Sequence, residues 1–126
     1  MKYLCLVYSR ETALHDLPDS PHDSECLAYA ESVQASGRML AAEALQPVES
    51  ATTVRVRNGK AAVTDGPFAE TKEQLAGFYL IEAHDLNEAL NVAAGIPAAR
   101  VGSVEVRPTR ELVTDSPASH AKATSA

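Results

Sequence analysis

Positive charge is scarce in this chain. Eleven lysines and arginines stand against 17 aspartates and glutamates, a formal net charge of −6 with a pI near 5.1. Phosphate backbones are bound by basic surfaces or patches, so the balance argues against nucleic acid as the main direct partner. Long apolar runs are missing too, and none approaches the roughly 18–20 residues of a membrane span. The run Tyr3 to Tyr8 is too short for a signal-peptide core, and no small-residue cleavage site follows it. These absences predict a cytoplasmic protein with no membrane partner. Cysteine is limited to Cys5 and Cys26, without a C-x-x-C and without histidines at zinc spacing. No metal site and no cofactor is therefore expected, and the thiols read as small, buried or half-buried and reduced. Nothing in their placement calls for a disulfide. A glycine-rich phosphate loop, a G-x-S-x-G elbow and an H-E-x-x-H are all lacking.

What is present is an ordinary folded composition, 45% hydrophobic and 22% charged over 126 residues, enough for one domain. Residues 2–8 read as a strand that is apolar on both faces, with Leu4 and Leu6 on one side and Tyr3, Cys5 and Val7 on the other. Residues 9–19 read as a loop. Ser20-Pro21-His22-Asp23 has the form of a helix start: a capping serine, proline at the first helical position and an acid three residues after the cap. The helix would bury a stripe of Cys26, Leu27, Ala30 and Val33 and stop at Gly37. A strand follows over 38–45, ended by Pro47.

Residues 52–64 predict a hairpin around Asn58-Gly59, the pair suited to a tight turn with two positive φ angles. Gly77 to Ile81 reads as another strand apolar on both faces. Asp85-Leu86-Asn87-Glu88 is a capping box, opening a helix with Leu86, Ala89, Leu90 and Ala93 on its stripe and closing at Gly95 and Pro97. Ser103 to Arg107 forms the last strand, with Val104 and Val106 inward. From Thr109 the composition predicts a frayed tail, so the domain is read as 1–108 and the tail as 109–126.

The order βαββββαβ predicts an α+β fold, a ferredoxin-like sandwich with an antiparallel sheet backed by two helices. Two helices cover one sheet face. The strands are apolar on both, so the second face needs a cover as well, and a second copy of the chain is the simplest one. A homodimer is expected.

Asp65-Gly66-Pro67-Phe68 and the following Ala69-Glu70-Thr71-Lys72-Glu73 attract attention for chemistry. Two readings stand. In one, a rigid turn positions the Asp65 carboxylate as an acid or base. In the other, Asp65 bonds turn amides, Phe68 plugs the core and Glu70 and Lys72 are solvated. Arg55 and Arg57 alternate on one face of the hairpin, and Arg107 shares a polar face with Glu105. Either these charges line a cavity beside Asp65, Tyr3 and Tyr79, or they solvate an exposed edge.

The same segment, with Gly77-Phe78-Tyr79-Leu80-Ile81 behind it, resembles the DGPF signature of the YCII-related family. Ala51 to Arg55, Ile96 to Arg100 and Ser103 to Pro108 are also similar to that subfamily, and the likeness covers roughly residues 2–108. The resemblance implies a dimeric α+β barrel. It implies less about activity, since most members have no assigned reaction. Some related domains accompany sigma factors of the extracytoplasmic-function type, and one branch removes chloride from a chlorinated aromatic diol. A His–Asp pair has been proposed as catalytic in the family, its histidine in the first helix roughly three turns before the closing glycine. Counted back from Gly37, that slot falls near Cys26, which is not a base of the same kind.

His22 lies about one helical turn earlier, where the positive helix end would favour a neutral imidazole able to act as a base. An ordinary surface histidine fits the same position. His15, His84 and His120 carry weaker claims. Two functional expectations follow. The first is a small enzyme acting on an organic acid or aromatic alcohol, with Asp65 and His22 as catalytic candidates. Its binding residues would be drawn from Tyr3, Arg55, Arg57, Phe68, Glu70, Lys72, Tyr79 and Arg107. The second is a non-catalytic dimeric module for a metabolite or a sigma-factor-type regulator.

Overall fold

The computed structural model describes residues 1–11 and 17–113. The expected tail beyond residue 113, His120 and His15 lie outside them. Six strands and two α-helices run in the order β1 (Lys2–Ser9), α1 (Asp23–Ala35), β2 (Met39–Ala44), β3 (Thr52–Arg57), β4 (Lys60–Asp65), β5 (Gln74–Glu82), α2 (Leu86–Gly95) and β6 (Gly102–Pro108). Single 3-10 turns at Val48–Ser50 and Pro97–Arg100 complete the path. β2, β5, β1 and β6 lie side by side in that order, all neighbours antiparallel, as in a ferredoxin-like sheet. The hairpin β3–β4 forms a separate two-stranded ribbon between β2 and β5 in sequence.

Alternation along β1 sends Tyr3, Cys5, Val7 and Ser9 to the helix side, where all four are buried. Across β5 they meet Ile81, Tyr79 and Gly77, and across β6 they meet Val106 and Val104. Leu4, Leu6 and Tyr8 take the opposite, helix-free face, only half-buried beside Phe78 and Leu80. The strand is therefore apolar on both sides, as its sequence requires. The core proper is small: Tyr3, Cys5, Val7, Ile81 and Ala83 from the sheet, Val33 from α1, Ala89, Val92 and Ala93 from α2, and Ile96.

α2 starts as expected, with the Asp85 carboxylate accepting from the Glu88 amide at 2.9 Å. Its buried stripe is Ala89, Val92 and Ala93, while Leu86 and Leu90 remain largely exposed. The helix meets α1 through the long Tyr29 side chain. The Tyr29 hydroxyl donates to the Val92 carbonyl at 2.6 Å, and a Cβ at Gly95 would collide with the Tyr29 ring.

α1 corrects the expected start. It begins at Asp23 with His22 at the N-cap, two residues beyond the predicted Ser20 cap. Pro21 is buried and the Ser20 side chain turns inward, so its hydroxyl cannot reach the first-turn amides. The expected stripe is only partly inside. Val33 is buried, whereas Leu27 is 62% exposed, because the N-terminal half of α1 stands away from the sheet. β5 begins three residues before the predicted Gly77, since the Gln74 side chain ties the strand to the Glu11 amide and the Thr71 carbonyl.

Candidate functional site

The β3–β4 ribbon carries most of the residues that sequence singled out. Its turn is built as predicted, with Asn58 at φ 53° and Gly59 at φ 75°. Residues directly opposite in an antiparallel pair share a face. Thr52/Asp65, Val54/Val63 and Val56/Ala61 therefore lie on one side, and Thr53/Thr64, Arg55/Ala62 and Arg57/Lys60 on the other. Asp65 thus looks out on the valine side, opposite to Arg55 and Arg57. The expected grouping of those arginines with Asp65 is not present in the single chain.

The turn after Asp65 is held by its backbone. The Gly66 amide donates to the Ala51 carbonyl at 2.7 Å, and the Thr53 hydroxyl donates to the Gly66 carbonyl at 2.8 Å. Gly66 has φ +99°, a conformation that side chains disfavour. Arg55 donates to the Phe68 carbonyl at 3.4 Å. The Phe68 ring is 76% exposed and fills no core position in the chain. Among the described residues the carboxylate of Asp65 makes no hydrogen bond or ion pair, so it does not bond the turn amides either. Glu70 and Lys72 are exposed.

The other candidates are scattered. Tyr3 is 4% exposed and belongs to the core on the helix side. Arg107 pairs with Leu4 on the helix-free side and contacts Glu105. The expected neighbourhood of Arg107 with Tyr3 and Tyr79 is therefore corrected, because strand alternation puts them on opposite faces. His22 is exposed and its carbonyl, not its ring, starts the helix by accepting from the Glu25 and Cys26 amides. His84 is exposed just before α2.

Of the predicted residues, Tyr79 lines a cleft between α1 and the sheet. This cleft, about 680 Å³, opens where α1 stands off the sheet. Its floor is Val7 and Ser9 of β1, Gly77 and Tyr79 of β5 and Ala42 of β2. Its roof is Pro21, Cys26, Leu27 and Ala30, and one end is closed by Ile96 and Pro97. The volume is that of a small-molecule site.

Few polar groups enter it. Ser9 has no exposed surface, and its hydroxyl has no partner among the described residues. Burying a hydroxyl unpaired is unfavourable, so the group is uncommon in a finished core. The Tyr79 phenol is pushed up to about 12 by burial first, then by Cys26, Tyr29 and Cys5, and so stays a neutral donor. Its ring lies 6.3 Å from that of Tyr29. Burial also raises the Cys26 thiol, with Asp23 and Glu25 adding to the effect, so it is protonated and a poor nucleophile at neutral pH.

Outside the lining, Arg100 donates to both carboxylate oxygens of Glu25 and to the Asp19 carbonyl at 3.1 Å. That pairing holds the Glu25 carboxyl below its usual range. No group of three or more histidine, cysteine or acidic side chains able to hold a metal occurs among the described residues. Sequence reasoning missed Ser9 and the cleft. The available signal was a serine continuing the buried side of β1, where a fourth apolar residue is the rule.

Fold and cavity together define a ferredoxin-like α+β protein with a small-molecule-sized cleft between its first helix and its sheet. The chain belongs to the YCII-related family, whose domain matches residues 1–113. It is 48% identical over 75 residues to an uncharacterized protein, R00369, of Rhizobium meliloti (strain 1021), covering 58% of this chain and about 60% of that one. Its fold is similar to that of 5-chloro-2-hydroxyhydroquinone dehydrochlorinase from Burkholderia phenoliruptrix AC1100, solved with 2,5-dihydroxybenzoquinone. That similarity has a TM-score of 0.52 at 17% identity, over 89% of this chain and 96% of the other. Among the described residues no helix is long and apolar enough to cross a membrane.

Proposed function

We propose that the protein is a homodimer that binds a small organic molecule in the cleft between α1 and β5 of each subunit. The observation that carries this reading is the cleft itself: about 680 Å³, walled by apolar side chains, with an unpaired buried hydroxyl at its floor. The structurally similar dehydrochlorinase was solved with a flat ring compound, small enough to enter such a cavity. An amide NMR titration with a panel of small phenols and ring ketones tests it. Saturable shifts at Cys26, Gly77 and Tyr79 are expected, and shifts confined to the β3–β4 ribbon would overturn the assignment.

Pairing of two copies is supported by the helix-free face of the sheet, where Leu4, Leu6, Phe78 and Leu80 lack a covering layer. Sedimentation at micromolar concentration should find dimers. A second reading places acid/base chemistry on an organic acid or aromatic alcohol at Asp65. It is favoured by the unpartnered carboxylate on the valine side of the ribbon, a surface a partner subunit would cover. Asp65→Asn should then abolish turnover of a substrate found by screening while leaving the melting temperature within a few degrees. Loss of folding instead would make Asp65 a structural residue. The same exposed ribbon suits a protein partner such as a sigma-factor-type regulator. Specific capture of a purified sigma factor, with no small-molecule shift, would favour that role over the cleft.

A further inference from the structure

We propose that the cleft selects by charge, taking an uncharged ligand whose single polar group bonds the Ser9 hydroxyl and rejecting its carboxylated counterpart. The inference rests on the cleft being the ligand site. Two features of the lining lead to it. Among the described residues, Asp23 and Glu43 are the only charged residues that line the cavity, and both are acids. The nearby cation, Arg100, is already committed to Glu25 through both carboxylate oxygens. A ligand carboxylate would therefore enter an apolar space with no cation to pair with and with Asp23 at the entrance. Desolvated charge without a partner is strongly disfavoured.

The second feature is Ser9. Its side chain follows Tyr3, Cys5 and Val7 on the helix side of β1, has no exposed surface and leaves its oxygen unpaired beneath the cleft. A hydroxyl can donate and accept, so an alcohol, phenol or carbonyl that parts the side chains over Ser9 would complete it. An apolar molecule of the same shape would fill the volume and leave the hydroxyl unpaired. Ser9 would then separate polar from apolar ligands, and Asp23 neutral from anionic ones.

Three molecules of one shape test this on the full chain by amide NMR titration: p-cresol, toluene and p-toluate. The expected result is saturable binding of p-cresol at Cys26, Gly77 and Tyr79. Toluene and p-toluate should each bind roughly tenfold more weakly, about the effect of one net hydrogen bond or one unfavourable charge. Ser9→Ala should bring p-cresol down to the level of toluene. Asp23→Asn, at an exposed first-turn position, should narrow the p-toluate deficit several-fold. If all three bind the cleft equally, or Ser9→Ala keeps the preference for p-cresol, the selection is overturned while the cleft remains a ligand site. If none of the three moves the cleft amides, the ligand-site reading falls and the selection falls with it.

Discussion

The body of the molecule and its β3–β4 ribbon follow opposite rules. In the body, four strands and two helices bury Ile81, Cys5 and Ser9 completely. In the ribbon, every residue but Thr53 is exposed, including Val54, Val56 and Val63 at 60–66%. A two-stranded ribbon alone is marginal in water, and three exposed valines on one side are an unfavourable surface. The recognisable DGPF signature sits at the base of this ribbon, whereas the cleft lies in the body and carries no motif. The signature holds a fixed backbone turn, with Gly66 at φ +99°.

The widest separation between the regions should appear in truncations. Ile81→Ala removes a side chain with no exposed surface from the centre of β5 and should cost about 2–5 kcal/mol in a denaturant melt. A cost below about 1 kcal/mol would mean that the body is loosely packed and no better ordered than the ribbon. Ser9→Ala acts in the same layer with the opposite sign. It deletes an unpaired buried hydroxyl, so stability should rise, by about 1 kcal/mol, while ligand binding declines. Such an exchange of stability against binding is the mark of a functional residue rather than a packing residue. A destabilised Ser9→Ala would show that the hydroxyl is satisfied in solution.

Titration distinguishes the regions on the alkaline side. Tyr79 keeps its proton to about 12 in the fold, against an ordinary 10, chiefly because burial disfavours the phenolate. Between those values the native state holds more protons than the unfolded chain, so stability must fall as pH rises from about 10. Below that range the contribution is fully present. Tyr79→Phe should flatten this decline in pH-dependent melts, and an unchanged slope would mean that Tyr79 is solvated and the cleft open to water.

Much of this architecture was legible. The alternation of β1 fixed two apolar faces, Asp85 marked the start of α2 and Asn58-Gly59 the ribbon turn, because each is a local preference that tertiary contacts do not oppose. The start of α1 was not legible. Ser20 has the chemistry of a cap, but burial of Pro21 carries its side chain inward and leaves His22 at the boundary. The stripe of α1 was also misjudged, since Tyr29 makes the key contact to Val92 and Leu27 overhangs the cleft. Periodicity says which residues can face the sheet and cannot say how far the helix stands from it. The opposite orientations of Asp65 and the two arginines follow from the hairpin register and were available to strand alternation alone. Grouping them in one cavity required a second layer that the single chain does not supply.

The smallest effect is the most informative for that second layer. Val54→Ser with Val63→Ser changes two side chains that the single chain leaves 61% and 66% exposed. In dilute solution, where chains are separate, the pair should alter unfolding free energy by no more than about 0.5 kcal/mol, as surface substitutions usually do. At higher concentration the outcome depends on what covers the ribbon. If a second copy packs on the valine side, burial of two valines contributes to pairing, and the double variant should shift dimer formation to higher concentration by tenfold or more. If the ribbon stays in water, both the melt and the sedimentation profile should match those of the parent chain at every concentration. The first result would join Asp65 to a protein interface and make the ribbon part of the folded unit. The second would leave pairing to Leu4, Leu6, Phe78 and Leu80 on the helix-free face and the ribbon free for another partner.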